Sequence, residues 1–527
     1  MTNPISDIEK ADVILATGTN TTENHPVLSS YVKRAVTFGK TKLIVIDPRK
    51  IELAKFADIY LQPKLGSDVA WLNGLMHVII KEDLYDKTFV EKRTKGFEDV
   101  KKMVEKFTPE YVEKITMIPA KDIEKTARLY AAAKPGSILY CMGITQHTTG
   151  TDNVKSLANL AMLCGNLGVK GGGVNPLRGQ NDVQGACDLG GLPNVFTAYQ
   201  SVADEDVRKQ LENKWDIIDL SPDIGLTATE MVPAAHDGKI KAFYIIGENP
   251  LVSDPDLGHA KKCFEKLDFL VVQDMFMTQT AQMADVVLPT RCFAEKDGTF
   301  SNTERKIQRV RQAVTPPGKA KYDWEIFCEI ATRMGYAMSY ENSEAIMKEI
   351  AQVTPSYGGI TYNRIEKEGL HWPCPDQDHP GTPILHTGKF PKGKGQFHAI
   401  DYIQPDEMPD KNFPFALTTG RVIYHYHTGS MTRKSKGLNE RSPENFIEIT
   451  KQDAFDSGLT NGDMAKISSR RGQVKARVVV SYKLNNGTLF MPFHFAENAA
   501  NHLTNSALDP VSKIPELKVC AVKIEKA

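Results

Sequence analysis

Short apolar runs separated by amphipathic stretches dominate the first third of the chain. Residues 13–16 and 43–46 are runs of the length of buried strands, and a helical pattern over residues 26–38 lies between them. A glycine, Gly18, follows the first run directly. Strand, glycine turn, helix and strand in this order predict a doubly wound α/β domain.

The same pattern returns after residue 190. Apolar runs at residues 241–246 and 269–272 flank a helical stretch at 259–267, which predicts a second doubly wound domain. From Phe413 onward the chain changes to short strands with Gly and Asn turns, which predict a small β-barrel.

These patterns divide the chain into five predicted segments. They are a doubly wound cofactor-binding domain (1–180), a second one (181–292), an extended hairpin (293–320), a helical and connecting region (321–412) and a β-barrel (413–527). The predicted fold class is therefore α/β, with two Rossmann-like domains and a C-terminal barrel.

Composition and charge exclude several classes of protein. Of 527 residues, 41% are hydrophobic and 25% charged, which is typical of a globular protein. The 65 basic residues balance the 65 acidic ones, which argues against a nucleic-acid partner. The apolar runs are far shorter than the ~20 residues that cross a bilayer, so no membrane insertion is expected.

The cysteines and the first residues indicate the compartment. The eight cysteines are scattered without a Cys-x-x-Cys pair, which is typical of thiols in a reducing compartment. Residues 1–10 lack the apolar core of a secretory signal. We therefore expect a cytoplasmic protein, and no residue is assigned as a metal ligand.

Polar residues follow the predicted strands where doubly wound sheets bind ligands. This places Gly18, Asn20, Asp47 and Arg49 on one rim, Met142 and Gly143 on a second, and Gly247, Asn249, Gln273 and Asp274 on a third. Turn or cap formation explains the two aspartates equally well. A complete Gly-x-Gly-x-x-Gly is absent, so an NAD-binding domain stays an alternative without its fingerprint.

A glycine-rich segment at residues 171–190 surrounds Arg178. Its six glycines disfavour a helix or strand and suit close approach of the backbone to a ligand. The planar guanidinium of Arg178 suits a carboxylate or phosphate. The alternative is a glycine-rich linker with a solvated arginine.

Residues 171–188 resemble the substrate loop of molybdopterin-dependent formate dehydrogenases, in particular the catalytic (alpha) subunit of the formate-hydrogen lyase type. Further blocks resemble this family in the family's order, and the resemblance runs from about residue 8 to the end. These blocks are residues 142–146, 161–168, 272–278 and 284–289.

The resemblance implies oxidation of formate to carbon dioxide, or the reverse, at molybdenum or tungsten held by two molybdopterin guanine dinucleotides. Arg178 would anchor the substrate carboxylate, and Gln180 would fix the arginine or a water. Besides the rim residues above, the cofactor contacts implied are Glu23, Gly66, Gln146, Gly179, Thr278, Thr419, Arg421, His425, His427, Ser430, Asn501 and Lys518.

The two histidines in this set also resemble a metal-binding pair. His425 and His427 alternate in a strand-like segment and would point the same way, but no third ligand is near them in sequence. Hydrogen bonding to a cofactor is the favoured role. The family often has Tyr at the positions of Phe493 and Leu517. Two contacts with the cofactor that the resemblance implies near the chain end therefore stay open.

In the family, a 4Fe-4S cluster domain and a selenocysteine or cysteine followed by histidine precede the point where this sequence begins. We therefore expect the chain alone to be incomplete and inactive, through a misread selenocysteine codon, a truncation or a separately encoded chain. The implied partners are that N-terminal part and an electron-transfer iron–sulfur subunit or hydrogenase module.

Two alternatives stay open. A related molybdopterin oxidoreductase such as a nitrate reductase would also use Arg178 for an oxyanion. A non-catalytic relative, like the large molybdopterin-type subunit of respiratory complex I, would hold no pterin. The retained strand-end residues, including Gly18, Asp47 and Asp274, oppose this second alternative.

Overall fold

The computed structural model describes residues 1–527 and has a mixed α/β fold. The strands are β1 (Val13–Thr17), β2 (Lys42–Ile46), β3 (Ile59–Leu61), β4 (Thr94–Lys95), β5 (Gly136–Tyr140), β6 (Gly173–Pro176), β7 (Ala242–Ile246), β8 (Phe269–Asp274), β9 (Val286–Pro289), β10 (Gly298–Ser301), β11 (Lys306–Val310), β12 (Leu370–His371), β13 (Gly395–Gln396), β14 (Phe415–Gly420), β15 (Phe446–Thr450), β16 (Met464–Ser468), β17 (Gln473–Ser481), β18 (Thr488–Pro492) and β19 (Cys520–Lys526).

The α-helices connect these strands. They are α1 (Thr21–Asn24), α2 (Pro26–Phe38), α3 (Asp68–Lys81), α4 (Lys87–Arg93), α5 (Phe97–Val104), α6 (Pro109–Thr116), α7 (Ala120–Ala131), α8 (Met142–Thr145), α9 (Gly150–Leu163), α10 (Val183–Asp188), α11 (Glu205–Trp215), α12 (Ala228–His236), α13 (Pro250–Ser253), α14 (Leu257–Phe264), α15 (Asp323–Arg333), α16 (Ser343–Val353), α17 (Lys436–Arg441) and α18 (Lys451–Asp456).

A five-stranded parallel sheet, in the order β3-β2-β1-β5-β6, organises the first part of the chain. Its central strand is buried on both faces, as parallel strands covered by helices are. Val13 and Leu15 face a core that contains Trp71 of α3. Ile14 faces the opposite core, beside α2. The alternation of side chains along a strand therefore supplies both layers.

The order of this sheet places a topological switch point beside β1. From β1 the chain moves outward through β2 to β3, and later places β5 on the other side of β1. The loops after β1 and β5 therefore leave the carboxyl edge in opposite directions and open a crevice there, which is where ligands of such sheets bind.

The C-terminal strands form a closed barrel in the order β14-β18-β15-β17-β16-β19. Strand β17 alternates exposed and buried residues over most of its length, as a barrel wall requires. Residues such as Leu417, Ile447 and Leu489 fill the interior. Closure pairs β14 with β19 and leaves no free edge in this sheet.

The chain forms two compact units. One contains Met1–Gly179, Val252–Ala260 and Ile384–Ala527, and thus holds both the five-stranded sheet and the barrel. The other contains Gln180–Leu251 and Lys261–Pro383. It holds the parallel sheet β7-β8-β9 and the antiparallel sheet β10-β11-β12.

The predicted fold class is confirmed, since the doubly wound sheet and the closed barrel are both present. The five sequential segments stay a prediction, because the two units group distant parts of the chain instead of dividing it in order. No helix is both long and apolar enough to span a membrane.

Candidate functional site

The carboxyl ends of β1, β2 and β5 meet the end of barrel strand β14 around a cavity. Its volume is about 990 Å³ when the space open to solvent is included. Predicted residues that line it are Gly18, Asn20, Asp47, Arg49, Gly66, Met142, Gly143, Gln146, Thr419, Arg421 and Lys518. The first unit therefore brings eleven predicted residues to one site.

Two glycines bring the loops after β1 and β5 into direct contact. Gly143 donates its N–H to the carbonyl of Gly18 at 3.0 Å. A Cβ on Gly143 would lie 2.6 Å from the Cα of Gly18, and Gly18 has a φ of +53°. Any larger residue at either position would clash with backbone.

Arg49 is the centre of a buried ion-pair network at the cavity wall. Its Nε lies 2.6 Å from Oε2 of Glu448 on β15, and its guanidinium carbon lies 4.2 Å from the centre of the Phe490 ring. Oε1 of Glu23 is 3.9 Å from Nη1 of Arg49. Burial raises the pKa of Asp47 to about 6, against the opposing bond from the Arg49 N–H. The network joins the sheet rim to the barrel.

The barrel contributes cationic groups. Lys518 is buried and donates to the carbonyl of Thr419 at 2.8 Å. Burial, and then the charge of Arg421, lower the pKa of Lys518 to about 8. Burial also lowers the pKa of Arg421. Such desolvated cations stabilise an anionic occupant strongly.

Three further cavity residues, His25, Asp68 and His147, were not identified from the sequence. Nε2 of His147 lies 2.9 Å from the carbonyl of Gly143, and burial lowers the pKa of His147 to about 4. Burial raises the pKa of Asp68 to about 7. His25 and Asp68 stand at the starts of helices that follow rim strands, and that position was the available signal.

Several buried polar atoms around the cavity have no hydrogen-bond partner in the chain. They are Thr19 Oγ1, Asn20 Oδ1, Glu23 Oε2, Asn24 Oδ1, His25 Nδ1 and His147 Nδ1. Because buried polar atoms are almost always bonded, such a cluster indicates a ligand. With the cations above, it fits a polar, anionic group such as a pterin dinucleotide with its two phosphates.

Arg178 lies beside this cavity without lining it. Its carbonyl is 2.6 Å from Nε2 of His25, which does line the cavity. Burial raises the pKa values of Tyr140 and Cys141, and the charge of Arg178 partly opposes this rise at both groups. The next residue, Gly179, accepts from Nη1 of Arg421 at 3.3 Å. Gln180 begins the second unit.

The second unit has its own rim at the ends of β7 and β8. Gly247 donates to the carbonyl of Gln273 at 2.9 Å, and burial raises the pKa of Asp274. Asn249 accepts from the hydroxyl of Thr280 at 2.8 Å. Thr278 caps the turn at Ala281. Cofactor contacts by these residues stay predictions.

The remaining predicted residues lie outside the cavity lining. The strand-like interpretation of residues 425–427 is wrong: β14 ends at Gly420, and the segment forms turns, with a φ of +48° at His427. Nε2 of His425 bonds the carbonyl of Ser442 at 2.6 Å. Ser430 contacts Thr428, and Asn501 donates to the carbonyl of Ser253.

Family comparisons match most of the chain. Residues 1–333 match the molybdopterin oxidoreductase family, and residues 415–521 match the molybdopterin dinucleotide binding domain. A solved structure of acetylene hydratase from Pelobacter acetylenicus has a TM-score of 0.77 at 21% identity. The match covers 99% of this chain and 81% of the acetylene hydratase chain. This similarity concerns the fold alone.

Sequence relatives are closer. The F420-dependent formate dehydrogenase subunit alpha of Methanocaldococcus jannaschii is 53% identical, over 100% of this chain and 78% of the relative. Formate dehydrogenase 1 subunit alpha of Methanococcus maripaludis, also named F420-dependent, is 51% identical over 100% and 78%. Formate dehydrogenase H of Escherichia coli is 41% identical over 100% and 74%. The chain therefore belongs to the molybdopterin oxidoreductase family, among the formate dehydrogenase alpha subunits.

Proposed function

We propose that this chain oxidises formate to carbon dioxide as the alpha subunit of a formate dehydrogenase. The observation that carries the proposal is an arginine, Arg178, held by its backbone at the wall of a cavity whose polar lining fits a pterin dinucleotide. Relatives named formate dehydrogenases at 41–53% identity over the whole chain support it.

The substrate demands few contacts. Formate has one carboxylate and one C–H bond, and its oxidation releases carbon dioxide, one proton and two electrons. Arg178 binds the carboxylate through two parallel N–H donors and thereby fixes the direction of the C–H bond. Gln180 is proposed to orient Arg178 or a water. When bound, the molybdopterin centre supplies the acceptor for the two electrons.

The cavity residues hold the cofactor in this proposal. Arg49, Arg421 and Lys518 neutralise its phosphates, and the unpartnered atoms of Asn20, Asn24 and His147 bond its polar edges. Molybdenum and tungsten use the same sulfur ligands, so metal analysis of the native enzyme distinguishes them. The iron–sulfur cluster and the selenocysteine or cysteine ligand implied by the family resemblance stay predictions.

Replacing the substrate anchor tests the proposal. In the native holoenzyme, Arg178→Lys keeps the charge but loses the bidentate geometry, and the loss of one charge-assisted hydrogen bond lowers kcat/KM for formate by roughly 10- to 100-fold. The measurement is formate-dependent reduction of methyl viologen. Nitrate consumption is followed in parallel, because an arginine also binds that anion.

A surface arginine provides the matched control. Arg128 lies at the surface and pairs with Glu82, so Arg128→Lys leaves kcat/KM unchanged. Parent-like turnover of formate by Arg178→Lys would refute the anchoring role. Consumption of nitrate and not of formate by the parent would favour the nitrate reductase alternative.

We further propose that the electrons pass to a separate subunit that reduces F420. Three relatives at 47–53% identity are named F420-dependent formate dehydrogenase alpha subunits, whereas formate dehydrogenase H is 41% identical. A hydrogenase module or another iron–sulfur subunit is the alternative partner.

We propose a cytoplasmic location because the cysteines form no disulfides. None of the eight forms a disulfide, and five of them, Cys141, Cys164, Cys263, Cys374 and Cys520, are buried. Cysteines outside disulfides in this number are typical of reducing compartments.

A further inference from the structure

Three consecutive carbonyl oxygens around Arg178 each accept a hydrogen bond from a side chain of the cavity wall. The thiol of Cys141 donates to Leu177 at 2.9 Å. Nε2 of His25 donates to Arg178 at 2.6 Å, and Nη1 of Arg421 donates to Gly179 at 3.3 Å. All three donors line the cavity. The backbone that carries Arg178 is therefore fixed from the side on which the cofactor is proposed to bind.

His25 is the donor whose own position is best determined. It stands between α1 and α2, where its N–H donates to Thr21 at 2.9 Å and its carbonyl accepts from Ser29 at 2.8 Å. Pro26 begins α2 with a fixed φ. The ring of His25 thus projects from a rigid junction, and the geometry of its bond to Arg178 follows from helix packing.

The hydrogen bond fixes the tautomer of His25. A carbonyl oxygen only accepts, so Nε2 carries the hydrogen, and in the neutral ring Nδ1 is left as an acceptor. Burial lowers the pKa of His25, and the charge of Arg421 lowers it further, which keeps the ring neutral. Nδ1 is buried and has no partner within the chain. This nitrogen can therefore accept a hydrogen bond from a group outside the chain.

Crowding at Gly179 holds the third contact in register. A Cβ at this position would lie 2.7 Å from Nη2 of Arg421. A side chain there would displace Arg421 from the Gly179 carbonyl, so the glycine after Arg178 preserves the contact. His25 and Arg421 together hold the carbonyl groups of Arg178 and Gly179, which belong to two consecutive peptide units.

We propose that His25 is a positioning residue that links cofactor binding to the substrate anchor. Its Nε2–H fixes the carbonyl of Arg178, and its Nδ1 accepts a hydrogen bond from an N–H or O–H of the bound dinucleotide. A filled cavity therefore holds the His25 ring, and the ring holds Arg178 in the orientation that receives the carboxylate. This inference rests on the proposed anchoring role of Arg178.

Two variants of similar length separate the hydrogen bond from the bulk of the side chain. His25→Met removes both ring nitrogens, and His25→Gln restores a donor near the position of Nε2. In the holoenzyme we expect His25→Met to raise KM for formate by roughly 3- to 10-fold, the worth of one neutral hydrogen bond, and His25→Gln to return KM toward the parent.

A second readout does not depend on turnover. Because His25→Met also lacks the Nδ1 acceptor, we expect it to release its cofactor faster than the parent by roughly 3- to 10-fold. The release rate is measured from pterin fluorescence in filtrates of the purified holoenzyme. An unchanged KM, an unchanged release rate, or a KM in His25→Gln as high as in His25→Met would overturn the proposal.

His77 provides the matched control. Nδ1 of this buried histidine lies 2.9 Å from the carbonyl of Val104, away from the cavity lining. His77→Met removes a comparable bond, so it lowers the melting temperature without changing KM or cofactor release. If His25→Met does not fold, His25→Asn replaces it, since this polar side chain is too short to reach Arg178.

The result is separable from failure of the proposed function. If Arg178→Lys lowers kcat/KM while His25→Met changes neither readout, only the positioning role is refuted. If Arg178→Lys turns over formate as the parent does, the anchoring role itself is refuted, whatever the His25 variants show.

Discussion

At the scale of single residues, the charge of Lys518 lies in a buried, poorly solvated position. Its ammonium is buried beside Arg421, and its fixed partner is the carbonyl of Thr419. Without a bound anion, the desolvation of this charge destabilises the folded protein. Bound phosphates would reverse the effect, which supports the proposed binding of the cofactor's phosphates near this lysine.

This burial predicts a specific pH dependence. The folded pKa of about 8 lies below the ordinary value of 10.5, so the unfolded chain binds more protons between these values, and stability rises with pH there. In the apoprotein, the parent should gain up to about 3 kcal/mol relative to Lys518→Met between pH 8 and pH 10.5. Urea unfolding of both proteins at pH 7.5 and pH 10 measures the gain. A pH-independent difference would contradict it.

Individual residues of the site also differ in how well the sequence predicts them. Asp47 and Arg49 were identifiable because they follow a strand directly along the chain. His25 was not, because its importance comes from a bond to Arg178, 153 positions away. Contacts of this kind depend on how the helix and the glycine-rich loop pack, which local patterns do not encode.

At the scale of elements, one ion pair joins the sheet to the barrel. Glu448 on β15 and Arg49 after β2 are almost fully buried, with side-chain exposures of 2% and 9%. Two charges withdrawn from water depend on each other, because removal of one leaves the other without its shortest ion pair in a poorly solvated position. The contact therefore holds one wall of the cavity.

Glu448→Ala should destabilise the apoprotein by up to about 3–5 kcal/mol, because the buried arginine then keeps only its longer contact with Glu23 at 3.9 Å. Glu444 offers a chemically matched control. It pairs with Arg477 at 2.5 Å, but both side chains are 46% exposed, so Glu444→Ala should cost at most about 1 kcal/mol. Urea unfolding of the three proteins gives the comparison. Equal losses for the two variants would show that burial does not decide the energy of these pairs.

Individual elements followed the sequence closely. The apolar runs near residues 13 and 43 form β1 and β2, and the short strands predicted after Phe413 form the barrel. Charged hairpin residues near 300 became β10 and β11. The order of the strands in the sheet could not be predicted from the sequence, because the connection between the paired strands β1 and β5 is more than a hundred residues long.

At the scale of the whole molecule, the division into units is not sequential. Residues Val252–Ala260 belong to the first unit although the second surrounds them in the chain. Asn501 holds this segment by donating to the carbonyls of Val252 and Ser253. These partners are about 250 positions apart, and nothing in the local composition of either segment signals the contact.

The electron acceptor is a property of the whole assembly. We expect the native complex to reduce F420 with formate at a rate comparable to that with methyl viologen, and not to reduce NAD. The measurement is the loss of F420 absorbance under anaerobic conditions. Reduction of methyl viologen without reduction of F420 would indicate another partner, such as a hydrogenase module.

The contact between Gly18 and Gly143 limits how this enzyme can be re-engineered. Because the two loops touch through bare backbone, a loop transplanted from another protein would fit only if its counterpart came with it. Libraries that vary one loop at a time would therefore yield mostly collapsed cavities. Changes of cofactor or substrate preference are better sought by exchanging both loops as a single cassette.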